Sequence, residues 1–167
     1  MTSADATALG ILVLLVGRAA VVDIRRLIIP DTVNLAIFAT GLAASLALGR
    51  VALVSALAAA LLGGGTFLAV QAGFRAYRGF DGLGTGDVKF IAAGATWTGL
   101  EGLAPTLLVA SLLALGYVGC RRSWHAGFDL GARIPFGPFL AVGIAVAAAA
   151  PICTGGSWFD LIDRIAP

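Results

Sequence analysis

The sequence predicts an all-α, polytopic membrane protein with six transmembrane helices and a short interfacial helix at its C-terminus. Hydrophobic residues make up 59% of the 167 residues and charged residues only 12%, whereas soluble domains carry about 25% charged residues. The mean hydropathy is +0.98. Such a chain must satisfy its backbone hydrogen bonds internally in lipid, and helices do so. Since one crossing takes about 20 apolar residues, we expect residues 1–167 to form one integral-membrane domain.

Six apolar runs, separated by charged residues, glycines and prolines, give the predicted spans. In chain order they cover 6–22, 31–48, 51–70, 87–99, 103–119 and 135–151. The second span begins after Pro30, which cannot continue a helix. Asp31 follows it, and we expect its side-chain oxygen to cap that helix.

The sequence predicts a membrane crossing near the N-terminus and a surface helix at the C-terminus. The first eight residues lack the basic segment of a signal peptide, so the first run is expected to remain as a crossing. Residues 157–165 have apolar residues at helical spacing behind a capping box of Ser157 and Asp160. We therefore predict a short helix on the membrane surface, anchored by Trp158.

Basic residues give the orientation of the spans. Only Arg50 and Arg164 lie near the turns on one side, and the turns on the other side hold Arg25, Arg26, Arg75, Arg78, Lys89, Arg121, Arg122 and Arg133. Loops rich in Lys and Arg stay in the cytoplasm. The prediction is a multi-pass protein of the cytoplasmic (inner) membrane with both termini outside.

Two acids lie at span ends on the predicted cytoplasmic side. Asp23 follows the first span and Asp87 opens the fourth. Ionisable groups near the bilayer are costly and usually mark a functional site. Gly84 and Gly86 precede Asp87 and allow the backbone to approach a peptide closely. Either acid could instead cap a helix or pair with a nearby arginine, but together they are a candidate acid/base pair.

Three segments, in this order, resemble the type IV prepilin leader peptidases and the related archaeal preflagellin peptidases. The first is Asp23 followed by Pro30-Asp31. The second is Gly84-Thr85-Gly86-Asp87-Val88-Lys89, and the third is Arg133-Ile134-Pro135-Phe136-Gly137-Pro138-Phe139-Leu140. With six spans, the resemblance covers nearly the whole chain.

The resemblance implies roles for individual residues. Asp23 and Asp87 would be the catalytic pair of a membrane aspartic endopeptidase, with Gly84 and Gly86 in its G-x-G-D signature and Lys89 at a matching position. The remaining residues, Pro30, Pro135, Phe136 and Gly137, are expected either to shape the site and the start of the last helix or to contact substrate.

The resemblance also implies a substrate: a prepilin-like membrane protein of a type IV pilus or secretion system. Its short basic leader, a glycine and an apolar helix would meet the site at the cytoplasmic face. Longer members of the family add a segment with two C-x-x-C pairs that is associated with N-methylation. This sequence has only two cysteines and no such pair, so we expect a short form whose N-methyltransferase activity is doubtful.

The expected chemistry follows from two neighbouring carboxyls, which share a proton because both do not ionise readily. One would take a proton from water and the other would polarise the scissile carbonyl. We expect no metal and no cofactor, although carboxylates can hold Mg²⁺ or Ca²⁺. The expected partners are the lipid bilayer and the substrate, not nucleic acid. The alternatives are a small proton- or cation-coupled transporter subunit that uses the acids as a relay, and a structural membrane anchor.

Overall fold

The protein folds as a bundle of five α-helices in the computed structural model, which describes residues 2–79, 83–124, 134–158, 160 and 163. The helices are α1 (Ser3–Arg26), α2 (Asp31–Leu48), α3 (Leu53–Arg78), α4 (Thr85–Trp124) and α5 (Gly137–Thr154). All five are long and apolar enough to cross a membrane. The prediction of an all-α, multi-pass protein is therefore confirmed.

Several helices extend past the apolar runs that predicted them, because their charged ends still favour helix. A capping box between Thr2 and Asp5 starts α1. Basic residues in the last turns of α1 and α3 complement the negative ends of the helix dipoles. At the end of α1, Leu27 takes a left-handed conformation with φ 53° and donates its N–H to the Asp23 carbonyl.

The predicted capping role of Asp31 is wrong. Pro30 is the N-cap residue of α2 and no side chain caps this helix, which begins at Asp31 itself. The Asp31 carboxylate instead accepts two hydrogen bonds from the Lys89 ammonium, at 2.7 and 2.8 Å. A carboxylate in the first turn of a helix is still favoured by the helix dipole.

Gly99 divides α4 into two arms, residues 85–98 and 100–124. Its φ of 63° and ψ of −172° are not helical, and only glycine adopts this conformation at little cost. Residues from both arms contact the same parts of the bundle. Gly63 of α3 faces Ile91 of the first arm and Leu103 of the second. The predicted spans 87–99 and 103–119 correspond to these two arms.

The first arm of α4 runs through the core of the bundle. Phe90 and Ile91 are fully buried, and the Trp97 indole N–H donates to the Ile37 carbonyl of α2 at 2.9 Å. Glycines allow this close packing, since Gly41 of α2 leaves room for Trp97. Residues 90–97 of this arm, which follow Asp87, are thereby packed into the core and against α2.

The predicted C-terminal helix falls largely outside the described residues. Its capping box is confirmed, because the Ser157 N–H donates to the Asp160 carboxylate at 2.6 Å and the Asp160 N–H donates to the Ser157 hydroxyl at 3.2 Å. The Trp158 indole donates to the Ala147 carbonyl of α5 at 3.0 Å. A position on the membrane surface remains a prediction.

Replacement of Gly143 by alanine tests the packing of the second arm of α4 on α5. The added methyl group would collide with the backbone carbonyl of Thr106, and a backbone atom cannot move away as a side chain can. We expect Gly143→Ala to lower the stability in detergent by about 1–3 kcal/mol. Gly17→Ala is the control, because no neighbouring atom lies within 4 Å of its new methyl group. Equal thermal stability of the two variants would contradict the packing.

Candidate active site

Asp23 is held against the start of α5. Its side chain lies in the last turn of α1 and is only 6% exposed. One carboxylate oxygen, Oδ2, accepts a hydrogen bond of 2.9 Å from the backbone N–H of Gly137, the first residue of α5. The first N–H groups of a helix have no partner within the helix, and a carboxylate is favoured at this positive end. Asp23 therefore caps α5 from a distant part of the chain.

Gly137 is required for this close approach. A methyl group on Gly137 would lie 2.7 Å from Asp23 Oδ2, well inside van der Waals contact. The next residue, Pro138, has no backbone N–H to offer, so the Gly137 N–H is the donor at this point. The sequence predicted that Gly137 either shapes the site or contacts substrate, and the structure shows its N–H in direct contact with Asp23.

Asp87 lies in the first turn of α4 and is half-buried. Its N–H donates to the Gly84 carbonyl at 3.1 Å, and a methyl group on Gly84 would lie 3.2 Å from its carboxylate. Gly86 packs on Ile29 in the turn between α1 and α2, where a methyl group would lie 3.4 Å from the Ile29 backbone nitrogen. The two glycines thus fit Asp87 against the turn that follows Asp23.

The two aspartates lie at the same end of the bundle. Asp23 is in the last turn of α1 and Asp87 is in the first turn of α4, and Gly86 beside Asp87 packs on Ile29 in the turn that follows Asp23. The same end contains the α1–α2 turn and the start of α5. Two adjacent carboxyls titrate as a coupled pair and can share a proton. This arrangement is able to activate a water and protonate a leaving group.

Gln71 also supports the site, and sequence reasoning missed it. This residue of α3 is 6% exposed, and its amide nitrogen donates to the Leu83 carbonyl at 2.7 Å. Leu83 directly precedes Gly84, so the bond ties α3 to the segment that leads to Asp87. The third span was predicted to end at residue 70, which left Gln71 in a turn. The sequence feature that could have indicated this role is a polar residue directly after the apolar run 51–70.

The other predicted site residues make their contacts at the starts of helices rather than with the two aspartates. Lys89 bonds Asp31 rather than either member of the pair, and both side chains are exposed. The Pro30 carbonyl accepts from the first turn of α2. Phe136 is the N-cap residue of α5, and its ring lies 6.4 Å from that of Phe139. The structure shows Pro135 half-buried just before α5, and Arg133 lies outside the described residues.

A metal ion would find few ligands among the described residues. Within 2–79, 83–124, 134–158, 160 and 163, no group of three or more His, Cys, Asp and Glu side chains could hold one. Asp23 and Asp87 form a pair rather than such a group, and Mg²⁺ and Ca²⁺ bind six or more oxygens.

Comparison with known proteins finds a family model and several curated relatives. The model of the type IV leader peptidase family matches residues 8–119. Leader peptidase HopD of Escherichia coli is 34% identical over 119 residues, which are 71% of this chain and 77% of that protein.

Two longer relatives are both named prepilin leader peptidase/N-methyltransferase. The protein of Xanthomonas campestris pv. campestris is 33% identical over 72% of this chain, and that of Burkholderia pseudomallei strain 1026b is 32% identical over 85%. The matched regions are only 42% and 45% of those two proteins, so the chain spans less than half of their length. No solved structure matches the chain.

Replacement of Gln71 by leucine tests how the segment before Asp87 is held. We expect Gln71→Leu to speed amide hydrogen exchange at residues 86–88 by roughly 10-fold, the equivalent of one lost hydrogen bond. Thr40→Val is the control, because the Thr40 hydroxyl bonds only carbonyls of its own helix, Ala36 and Ile37. Unchanged exchange at 86–88 in Gln71→Leu would show that α3 does not hold this segment.

Proposed function

The chain belongs to the type IV leader peptidase family, and from this premise we propose that it is an aspartic endopeptidase that cleaves prepilin-like membrane proteins. The observation that carries the proposal is that Asp23 and Asp87 lie at the same end of the bundle, where Gly86 packs on the turn between α1 and α2. The two residues are 64 positions apart in the sequence, so only the fold joins them. Both match the acids that the family resemblance singles out.

The proposed reaction is hydrolysis by a water held between the two carboxyls. One aspartate is ionised and takes a proton from the water, whose oxygen attacks the scissile carbonyl carbon. The other aspartate is protonated; it polarises that carbonyl and then gives its proton to the departing amide nitrogen. The C–N bond breaks, and the pair again holds one proton. The Gly137 N–H fixes Asp23 throughout, which keeps the geometry of the pair.

We propose that the aspartate end of the bundle faces the cytoplasm. The last turns of α1, α3 and α4 carry the basic residues Arg25, Arg26, Arg75, Arg78, Arg121 and Arg122. The last turn of α1 also carries Asp23, and Gln71 near the end of α3 bonds Leu83 before Asp87. Basic segments stay in the cytoplasm, so the positive-inside rule supports this orientation.

The two arms of α4 are proposed to cross the membrane separately, which makes six crossings with both termini outside. Support comes from the break at Gly99 and from the shared contacts of the arms with α3 and α5. The proposed substrate has a short basic leader in the cytoplasm, then a glycine and an apolar helix. The N-methyl transfer in the names of the longer relatives is not carried over, because the chain spans less than half of those proteins.

The described core argues against the alternative of a transporter relay. A relay needs a polar or hydrated path from the acids into the bundle. Phe90 and Ile91 follow Asp87 by one turn and are fully buried, and Leu140 of α5 is fully buried beyond Gly137. Apolar residues next to the pair on α4 and α5 suit a site that acts at one membrane face.

Asp23→Asn and Asp87→Asn are each expected to abolish cleavage of a prepilin, because an amide can neither accept the proton of the water nor return one. The loss should be about 10³-fold or more in rate, measured as the gel shift of the substrate in membranes. Both variants should fold and insert. Two controls, Glu101→Gln at the far end of the bundle and Asp81→Asn, should keep substantial activity. Full cleavage by either Asn variant would end the proposal.

Gly137→Ala tests whether the contact with Asp23 matters for turnover. The new methyl group would displace the Asp23 carboxylate, and a small misplacement of a catalytic group costs about 100-fold. We expect a fall in kcat of about this size, together with a loss of stability of about 1 kcal/mol because the cap of α5 is weakened. Gly10→Ala provides the comparison, since its methyl group would meet no atom within 4 Å. Wild-type kcat in Gly137→Ala would show that Asp23 does not need this contact.

A further inference from the structure

Asn34 is a buried amide that the fold leaves unsatisfied. The residue is 5% exposed, and neither its side-chain nitrogen nor its side-chain oxygen has a hydrogen-bond partner in the described structure. Buried polar groups are nearly always paired, because losing water without gaining a partner costs free energy. Hydrophobic residues surround this position along α2, with Val33 and Ile37 buried beside it. An amide kept here is therefore expected to serve a ligand.

The α1–α2 hairpin places Asn34 at the depth of Asp23. The turn of this hairpin lies between Arg26, the last residue of α1, and Asp31, the first residue of α2. Asp23 precedes Arg26 by three residues, and Asn34 follows Asp31 by three. Residues equally far from the turn of an antiparallel helix pair lie level with each other.

Asn34 also lies on the side of α2 that faces α4. Residues three apart on a helix share a face, so Asn34 lies one turn along the same face as Asp31. Asp31 bonds Lys89, which is two residues from Asp87. The buried amide is therefore placed on the side of α2 toward the start of α4, at the depth of Asp23.

We propose that the Asn34 side chain binds the backbone of the substrate, donating to a carbonyl and accepting from an N–H of the extended segment beside the scissile bond. This inference rests on the proposed function. A carboxamide carries a donor and an acceptor side by side, which is the complement of a peptide unit. An extended segment drawn into this end of the bundle loses water from its backbone groups and needs such partners.

Access to Asn34 requires the start of α4 to separate from α2. Asn34 and Asp23 are both closed to solvent. The Lys89–Asp31 pair that joins α4 to α2 is exposed on both side chains, and exposed ion pairs hold elements together only weakly. One movement would expose the amide and the aspartate together.

Asn34→Leu tests the proposal because leucine has a similar size and no polar atoms. With a model prepilin made of a short basic leader, a glycine and an apolar helix, KM should rise roughly 10-fold or more, about 1.4 kcal/mol. The kcat should stay within about 2-fold, as expected when binding is lost equally from the substrate and the transition state. The melting temperature in detergent should stay the same or rise, because an unsatisfied buried amide has been removed.

Ser45→Ala is the matched control in the same helix. Ser45 is also buried, but its hydroxyl is satisfied by the Val51 carbonyl at 2.6 Å. This variant should lower the melting temperature and leave KM unchanged. If Asn34→Leu does not insert, Asn34→Thr replaces it, and its KM should rise at least roughly 3-fold because one of the two bonds is lost.

The possible outcomes distinguish a failure of the proposed function from a failure of the Asn34 inference. A wild-type protein that does not cleave the model prepilin would overturn the proposed function and this inference with it. Cleavage by the wild type, with an unchanged KM in Asn34→Leu or its Thr substitute, would overturn the inference alone. A lower melting temperature with a lower kcat and an unchanged KM would assign Asn34 a structural role and would also overturn it.

Discussion

The hydrogen bond from the Gly137 N–H to the Asp23 carboxylate is the constraint on which the site depends. It joins the end of α1 to the start of α5, and it satisfies a helix terminus that no local side chain caps. Most helix caps stabilise only their own helix. Here the cap also fixes the orientation of a buried carboxylate. The same hydrogen bond therefore holds α1 against α5 and positions Asp23 for the proposed reaction.

The second aspartate is placed by contacts of a different kind. Gly86 packs against Ile29, and Gln71 of α3 holds the Leu83 carbonyl just before the glycines. Further along the first arm of α4, Phe90 and Trp97 are buried in the core, and Trp97 donates a hydrogen bond to α2. The pair therefore has one member fixed by a helix terminus and the other at the end of a buried helix arm.

Much of the fold could be predicted from the sequence, because apolar runs and their breakers mark helices in lipid directly. The start of α2 followed from Pro30. Asp23 and Asp87 could be singled out because they are acids at the ends of apolar runs. Contacts between distant elements could not be predicted in this way. Asp31 suited a cap as well as an ion pair, and only the position of Lys89 decided between them. The role of Gln71 and the cap that Asp23 provides also depend on packing that no local pattern records.

The central claim is that Asp23 and Asp87 form one coupled pair, and carboxyl ¹³C NMR titration tests it most directly. The Asp87 resonance would be followed against pH in the wild-type protein and in Asp23→Asn, with Asp23 followed likewise in Asp87→Asn. Coupled carboxyls have titrations that belong to the pair, so we expect each substitution to change the titration curve of the remaining aspartate. Curves unchanged by the loss of the partner would contradict the account, because the two groups would then be too far apart to share a proton.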